Sequence, residues 1–135
     1  MAFELAQKVL FKHCDPAGIV FFPRYFEMLN DCMEAFFATE LDWPWEALHG
    51  RGAVPTAQIE TRFTAPSRHG DDLVLRLTIV SVGGSSMTYR MTATCGDSLR
   101  FDTTATLVNV GPEGRPTPWP DAVRTKLTDR VEQTT

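Results

Sequence analysis

The run Phe22-Pro23-Arg24-Tyr25-Phe26-Glu27-Met28-Leu29-Asn30-Asp31-Cys32-Met33-Glu34-Ala35-Phe36-Phe37-Ala38-Thr39 decides the fold of this chain. Its apolar side chains Phe22, Tyr25, Phe26, Leu29, Met33, Phe36 and Phe37 recur at gaps of three and four, which is one face of a helix. Arg24, Glu27, Asp31 and Glu34 fall on other faces. Pro23 stands in the first turn, where its missing N–H has no intrahelical acceptor to lose. At 1.5 Å per residue the helix is about 27 Å long. That length can lie along a whole sheet, and so wide an aromatic face calls for burial.

Beyond Gly52 the period changes to two. Leu73, Leu75, Leu77 and Ile79 alternate with Val74, Arg76, Thr78 and Val80, and Met87, Tyr89, Met91 and Ala93 alternate with Ser86, Thr88, Arg90 and Thr92. Ile59 and Phe63 alternate with Glu60 and Arg62, and Leu99–Val110 is rich in Thr and Val. These are four strands. Gly83-Gly84 and Gly96-Asp97 supply hairpin turns, so the strands run antiparallel. A fifth strand is expected from Glu4 to Lys12, ahead of the helix. Gly111–Pro120, with its glycines and prolines, reads as a crossing segment. It leads to a short helix from Pro120-Asp121 on which Val123, Leu127 and Val131 align. The order strand, long helix, four strands, short helix defines an α+β class.

The length of 135 residues corresponds to one domain, residues 1–135. Nine Phe, three Trp and 43% hydrophobic residues exclude disorder. With 13 basic against 17 acidic residues the net charge is −4, which argues against nucleic acid as a partner. An anionic ligand would need basic residues gathered locally. No apolar run reaches the roughly 18 residues of a membrane span. The N-terminal residues lack the charge pattern of a secretion signal. Cys14, Cys32 and Cys95 are an odd, scattered set that fits reduced thiols in a cytoplasm.

The chemistry concentrates in His13-Cys14-Asp15-Pro16-Ala17-Gly18-Ile19-Val20-Phe21-Phe22. A carboxylate and a Pro/Gly turn are followed by four apolar residues and the start of the long helix. A helix N-terminus offers unpaired N–H groups and partial positive charge. Such donors polarise a carbonyl whose oxygen turns negative during acyl transfer. A nearby carboxylate can attack that carbonyl or activate water.

Asp15 to Phe26, D-P-A-G-I-V-F-F-P-R-Y-F, resembles the signature of the hotdog-fold acyl-CoA thioesterases of the 4-hydroxybenzoyl-CoA thioesterase type. The likeness continues through Leu41-Asp42-Trp43-Pro44-Trp45, Pro55–Phe63, Arg68-His69-Gly70-Asp71 and Gly114-Arg115-Pro116, then Pro118 and Pro120, covering roughly Phe3 to Ala122. It implies a hotdog fold, an antiparallel five-stranded sheet wrapped around one long central helix. It implies hydrolysis of an acyl-CoA, with an aromatic acyl group such as 4-hydroxybenzoyl as the example, and needs no cofactor. It assigns Asp15 as nucleophile or general base and the backbone N–H of Phe22 as the carbonyl-polarising donor. Trp45 and Thr56 fall near positions that line the acyl pocket across a subunit interface, and Phe21 adds to an apolar wall. Members work as dimers or dimers of dimers, including homotetramers, with shared active sites.

Coenzyme A carries phosphates, so local arginines are expected to hold it. Arg62, Arg68 and His69 around one strand end, with Arg90 and Arg100 on neighbouring strands, are the candidates, Arg68 first. Gly83-Gly84-Ser85-Ser86 would let a pantetheine arm approach a strand. His13 departs from the small or acidic residue usual at its place, and Cys14 lacks a base partner. His49 and His69 are isolated and no metal-ligand spacing occurs. Three other readings compete. A hotdog hydratase or dehydratase would pair His13 with Asp15 on one side of an extended strand end. A thioesterase acting on acyl carrier protein would keep the same loop, and a non-catalytic acyl-CoA-binding module would need no Asp15.

Overall fold

The alternation in the second half of the chain builds the sheet. Leu73, Leu75, Leu77 and Ile79 all face the core from β3 (Asp72–Val82), as do Met87, Tyr89, Met91 and Ala93 from β4 (Ser86–Cys95). Phe101, Thr103, Ala105 and Leu107 do the same from β5 (Ser98–Val108). The computed structural model describes residues 2–131. Ahead of these strands it has β1 (Phe3–Lys8), α1 (Pro23–Thr39), a four-residue α2 (Trp45–Leu48) and β2 (Thr56–Phe63); α3 (Asp121–Asp129) follows them.

All strand pairs are antiparallel, in the order β1-β3-β4-β5-β2. β1 and β2 are consecutive strands yet occupy opposite edges, and α1 carries the chain between them across the concave face. This is the hotdog arrangement, the α+β fold expected from the sequence. Among the described residues no helix is long and apolar enough to cross a membrane.

The buried stripe of α1 is Tyr25, Met28, Leu29, Cys32, Met33, Phe36 and Phe37. It differs from the expected face at four positions. Phe22 is 54% exposed and Phe26 is half-buried, while Met28 and Cys32 turn inward. The helix rolls so that Phe22 and Phe26 pack edgewise on Phe63 at the sheet edge instead of entering the core. Each fully buried Phe or Met of the stripe is worth about 1.5–3 kcal/mol. Burial also pushes the Cys32 thiol up to about 12, so it is an inert core group.

β1 is shorter than expected. It ends at Lys8 because Val9 N–H donates to Asp71 O and Gly70 N–H to Val9 O, which closes the edge. The chain then turns through a 3-10 helix at Phe11–His13. Val123 and Leu127 are buried on α3, but Val131 lies past its end and bridges to Ile79.

Candidate active site

The Asp15 loop is a tight hairpin whose backbone bonds follow from its sequence. Cys14 bridges Val20, Asp15 N–H donates to Ile19 O at 2.9 Å, and Gly18 N–H donates to Asp15 O at 2.9 Å. Gly18 closes the turn at φ +80, a conformation that costs side-chain-bearing residues free energy. The Asp15 carboxylate accepts Ala17 N–H at 2.9 Å through Oδ1, and its other oxygen has no partner among the described residues. One oxygen thus orients the group.

The loop is fastened on both flanks to the turn at residues 66–71. Val20 N–H donates to Ser67 O at 2.8 Å and Ile19 bridges Arg68; on the other flank Val9 joins Asp71 and Gly70. A polar knot holds that turn. Arg100 Nη1 donates to Asp71 Oδ2 at 2.7 Å, to Ser67 Oγ at 3.1 Å and to Pro66 O at 3.1 Å. Tyr25 OH donates to Ser67 Oγ at 2.8 Å. The Asp71 carboxyl sits below its ordinary pKa, first through the Arg68 backbone N–H and then through the Arg100 side chain.

Phe22 caps α1 in a helical conformation with no side-chain cap. Phe21 N–H donates to His13 O, Arg24 N–H to Phe21 O and Tyr25 N–H to Phe22 O, and Pro23 has no N–H. The Phe22 N–H alone in this turn finds no acceptor among the described residues. It stands at the positive end of the helix dipole, available to an oxygen that gains negative charge.

Two cavities flank the loop and share Cys14, Asp15 and Pro16. One, of about 420 Å³, is completed by Phe11, Gly18 and His69. The other, of about 300 Å³, is completed by Lys12, Phe21 and Arg24. Three of these lining residues, Phe11, Lys12 and Arg24, escaped the sequence reading, whereas His69 stands there among the expected contacts of the coenzyme A phosphates. Phe11 is 79% exposed, which its place in the sequence does not signal.

His13 does not pair with Asp15 as the extended-strand geometry of a hydratase would have it. The 3-10 turn buries it, and its Nδ1 accepts Leu10 N–H at 2.8 Å. The ring is therefore the neutral Nε2–H tautomer. Burial, and then the charge of Lys12, hold its pKa below the ordinary value. Cys14 is partly buried, with Sγ 3.7 Å from Leu10 O. Among the described residues no three His, Cys, Asp or Glu side chains gather as a metal-ligand set.

The other expected residues are dispersed. Phe21 lies beside Asp15, half exposed and edge-on to Phe22. Trp45 packs on Phe37, towards the far end of α1 from Asp15. Thr56 opens the edge strand β2, opposite Leu107. Of the arginines, Arg100 is enclosed in the knot described above, and Arg90 forms a two-point ion pair with Asp102 at 2.9 and 2.7 Å. Arg62 and Arg90 share a depression of about 540 Å³ on the outer sheet face with Glu60 and Asp102. The side chains of Arg62 and Arg68 make no hydrogen bond or ion pair among the described residues. The Gly83–Ser86 turn is engaged internally, with Gly83 N–H donating to Ser86 O and Trp119 N–H to Gly84 O.

The fold recurs in known structures. A 1,4-dihydroxy-2-naphthoyl-CoA thioesterase from Synechocystis superimposes with a TM-score of 0.86 at 23% identity, over 96% of this chain and 97% of that one. A gentisyl-coenzyme A thioesterase gives 0.84 at 23% identity, over 93% and 99%. A Staphylococcus aureus protein solved in complex with CoA gives 0.88 at 15% identity, over 100% and 89%. No curated protein matches by sequence. The family described as the thioesterase-like superfamily matches residues 9–127, from the end of β1 through most of α3 and across the whole Asp15 loop. With that span matched, this chain belongs to the thioesterase-like superfamily.

Proposed function

We propose that this protein is an acyl-CoA thioesterase that releases a free acid and coenzyme A, with Asp15 and the Phe22 backbone N–H as its catalytic groups. The observation that carries this reading is their pairing. A carboxylate with one free oxygen sits on the same short hairpin that delivers the one unbonded N–H at the start of α1. The thioester oxygen accepts the Phe22 N–H, which stabilises the charge that develops on it. Asp15 either attacks the carbonyl carbon, giving an anhydride that water then opens, or takes a proton from the attacking water. In both courses the C–S bond breaks and the thiolate of coenzyme A leaves and is protonated.

Two similar structures bear the names of thioesterases for aromatic acyl-CoAs and a third holds CoA, which supports an aromatic CoA thioester as substrate. The 4-hydroxybenzoyl group is one such acyl group. The same reading makes the working unit a homo-oligomer, a dimer or dimer of dimers with shared sites. The test is thiol release from short, long and aromatic acyl-CoAs. Wild type turns over at least one, and Asp15→Asn lowers kcat by about 10²–10⁴-fold with the fold intact. Wild-type turnover in the Asn variant would refute the assignment of Asp15. A wild type inert to every CoA thioester would favour a carrier-protein thioester or a binding module.

A further inference from the structure

Resting on the thioesterase reading, we infer that Ser67 and Tyr25 are positioning residues that set the distance between the Asp15 carboxylate and the Phe22 N–H. The two groups stand on different elements, Asp15 on the hairpin and Phe22 at the start of α1. Ser67 is the one residue outside these elements, among the described residues, that is hydrogen-bonded to both. Its carbonyl accepts Val20 N–H of the hairpin at 2.8 Å, and its hydroxyl accepts Tyr25 OH from the first turn of α1 at 2.8 Å. Tyr25 N–H in turn donates to Phe22 O at 3.0 Å. With the chain from Val20 to Phe22, these bonds close a ring that runs through the helix start and the base of the Asp15 hairpin.

Both side chains are fixed by other contacts. The Tyr25 ring stacks on Phe63 with centroids 5.8 Å apart and meets Phe101 edge-on at 5.2 Å. Arg100 Nη1 donates to the Ser67 hydroxyl at 3.1 Å. Ser67 is 0% exposed and Tyr25 4%, so water does not compete for the bond between them. The rest of the buried stripe of α1 packs through Met, Leu, Phe and Cys side chains. Such burial is non-directional and holds the position along the helix axis only loosely. Among the described residues, Tyr25 OH to Ser67 is the only side-chain hydrogen bond from α1 to another element; those of Arg24 and Thr39 stay within the helix. A hydrogen bond weakens steeply with distance and angle, so this one keeps the helix start in register with the hairpin. The ring of Tyr25 fills the core, and its hydroxyl adds the register.

The experiment compares Tyr25→Phe, Ser67→Ala and the double variant on the full chain, with an acyl-CoA that wild type hydrolyses. Tyr25→Phe keeps the ring between Phe63 and Phe101 and deletes only the hydroxyl. Each single variant lowers kcat by about tenfold to a hundredfold and leaves KM within about twofold. The double variant loses no more than the worse single one, because both substitutions remove the same bond. A second readout needs no turnover. In nitrogen-edited NMR spectra the Phe22 amide resonance of wild type follows the ionisation of Asp15 as pH is lowered, and the amplitude of that step shrinks in Tyr25→Phe. Wild-type kcat in Tyr25→Phe, losses that multiply in the double variant, or a Phe22 amide step of wild-type size in Tyr25→Phe would each overturn the inference. A wild type that hydrolyses no acyl-CoA, with the amide step still reduced in Tyr25→Phe, would sink the thioesterase reading and leave the positioning role standing.

Discussion

His13 stands two residues from Asp15, yet the fold uses it as a pin. Its Nδ1 accepts Leu10 N–H, which ties the 3-10 turn just before the Asp15 loop. Protonation at Nδ1 would destroy that bond. Burial and the positive charges of Lys12 and Arg24 disfavour the cation, while Glu27 and Asp31 on α1 favour it; the pKa is lowered on balance. A folded-state pKa below the unfolded value of about 6.5 means that the unfolded chain binds the proton first as pH drops. The stability involved is present above about pH 6.5 and is lost as pH falls through the folded pKa. The wild-type urea midpoint therefore declines between pH 7 and 5. Asp71 and Asp102, both lowered from 3.8, release their share only at more acidic pH. His13→Asn keeps an acceptor near Nδ1 and removes the titration, so its midpoint stays flat over that window. A decline as steep in the variant as in wild type would refute the pin.

The turn at residues 66–71 bears on the Asp15 loop, because the hairpin is bound to it on both flanks. Arg100 is the centre of its polar knot, with its side chain 12% exposed, and belongs among positioning residues. Arg100→Ala removes bonds to a carboxylate, two hydroxyls and a carbonyl, and the unfolding free energy falls by about 1–3 kcal/mol. Because the carboxylate is then poorly placed, kcat falls on the order of tenfold to a hundredfold with KM nearly unchanged. A phosphate ligand would behave the other way, with KM raised for CoA thioesters and the melting temperature unaffected, and that pattern would exclude the positioning role.

The same elements show what was legible in the sequence. Asp15 and Phe22 are read together because only six residues of one hairpin separate them. The sheet was legible because alternation and glycine turns are local signals. Arg100 reads as a strand arginine until the turn folds over it, 29 residues from Asp71. Lys12 and Phe11 read as strand residues until the edge closes at Val9 and the chain coils. The rolled face of α1 was hidden for a like reason, since Phe63 draws Phe22 and Phe26 outward from across the chain.

At the scale of the molecule, β2 is the element out of balance. Every residue of it except Thr61 is exposed, including Ile59 at 41% and Phe63 at 43%, although it belongs to a five-stranded sheet. It pairs only with β5, so its other edge presents unpaired N–H and C=O groups beside apolar side chains. Such an edge is a template for pairing. A second copy related by a two-fold axis brings an identical strand antiparallel to it, which satisfies both edges at once. Phe63 touches Phe22, so an interface at β2 would border the N–H that the proposed mechanism uses and make each site depend on both chains. Light scattering is therefore expected to give twice the 15.1 kDa chain mass, or a multiple of that. Ile59→Lys sets two ammonium groups against each other near the axis and yields monomers with an unchanged far-ultraviolet dichroism spectrum. Their kcat/KM per chain drops on the order of a hundredfold, because a half-built site no longer holds the thioester in line. A wild type that is monomeric at assay concentration and fully active would rule out shared sites. A dimer that persists in Ile59→Lys would place the interface elsewhere and leave the exposure of β2 without a cause.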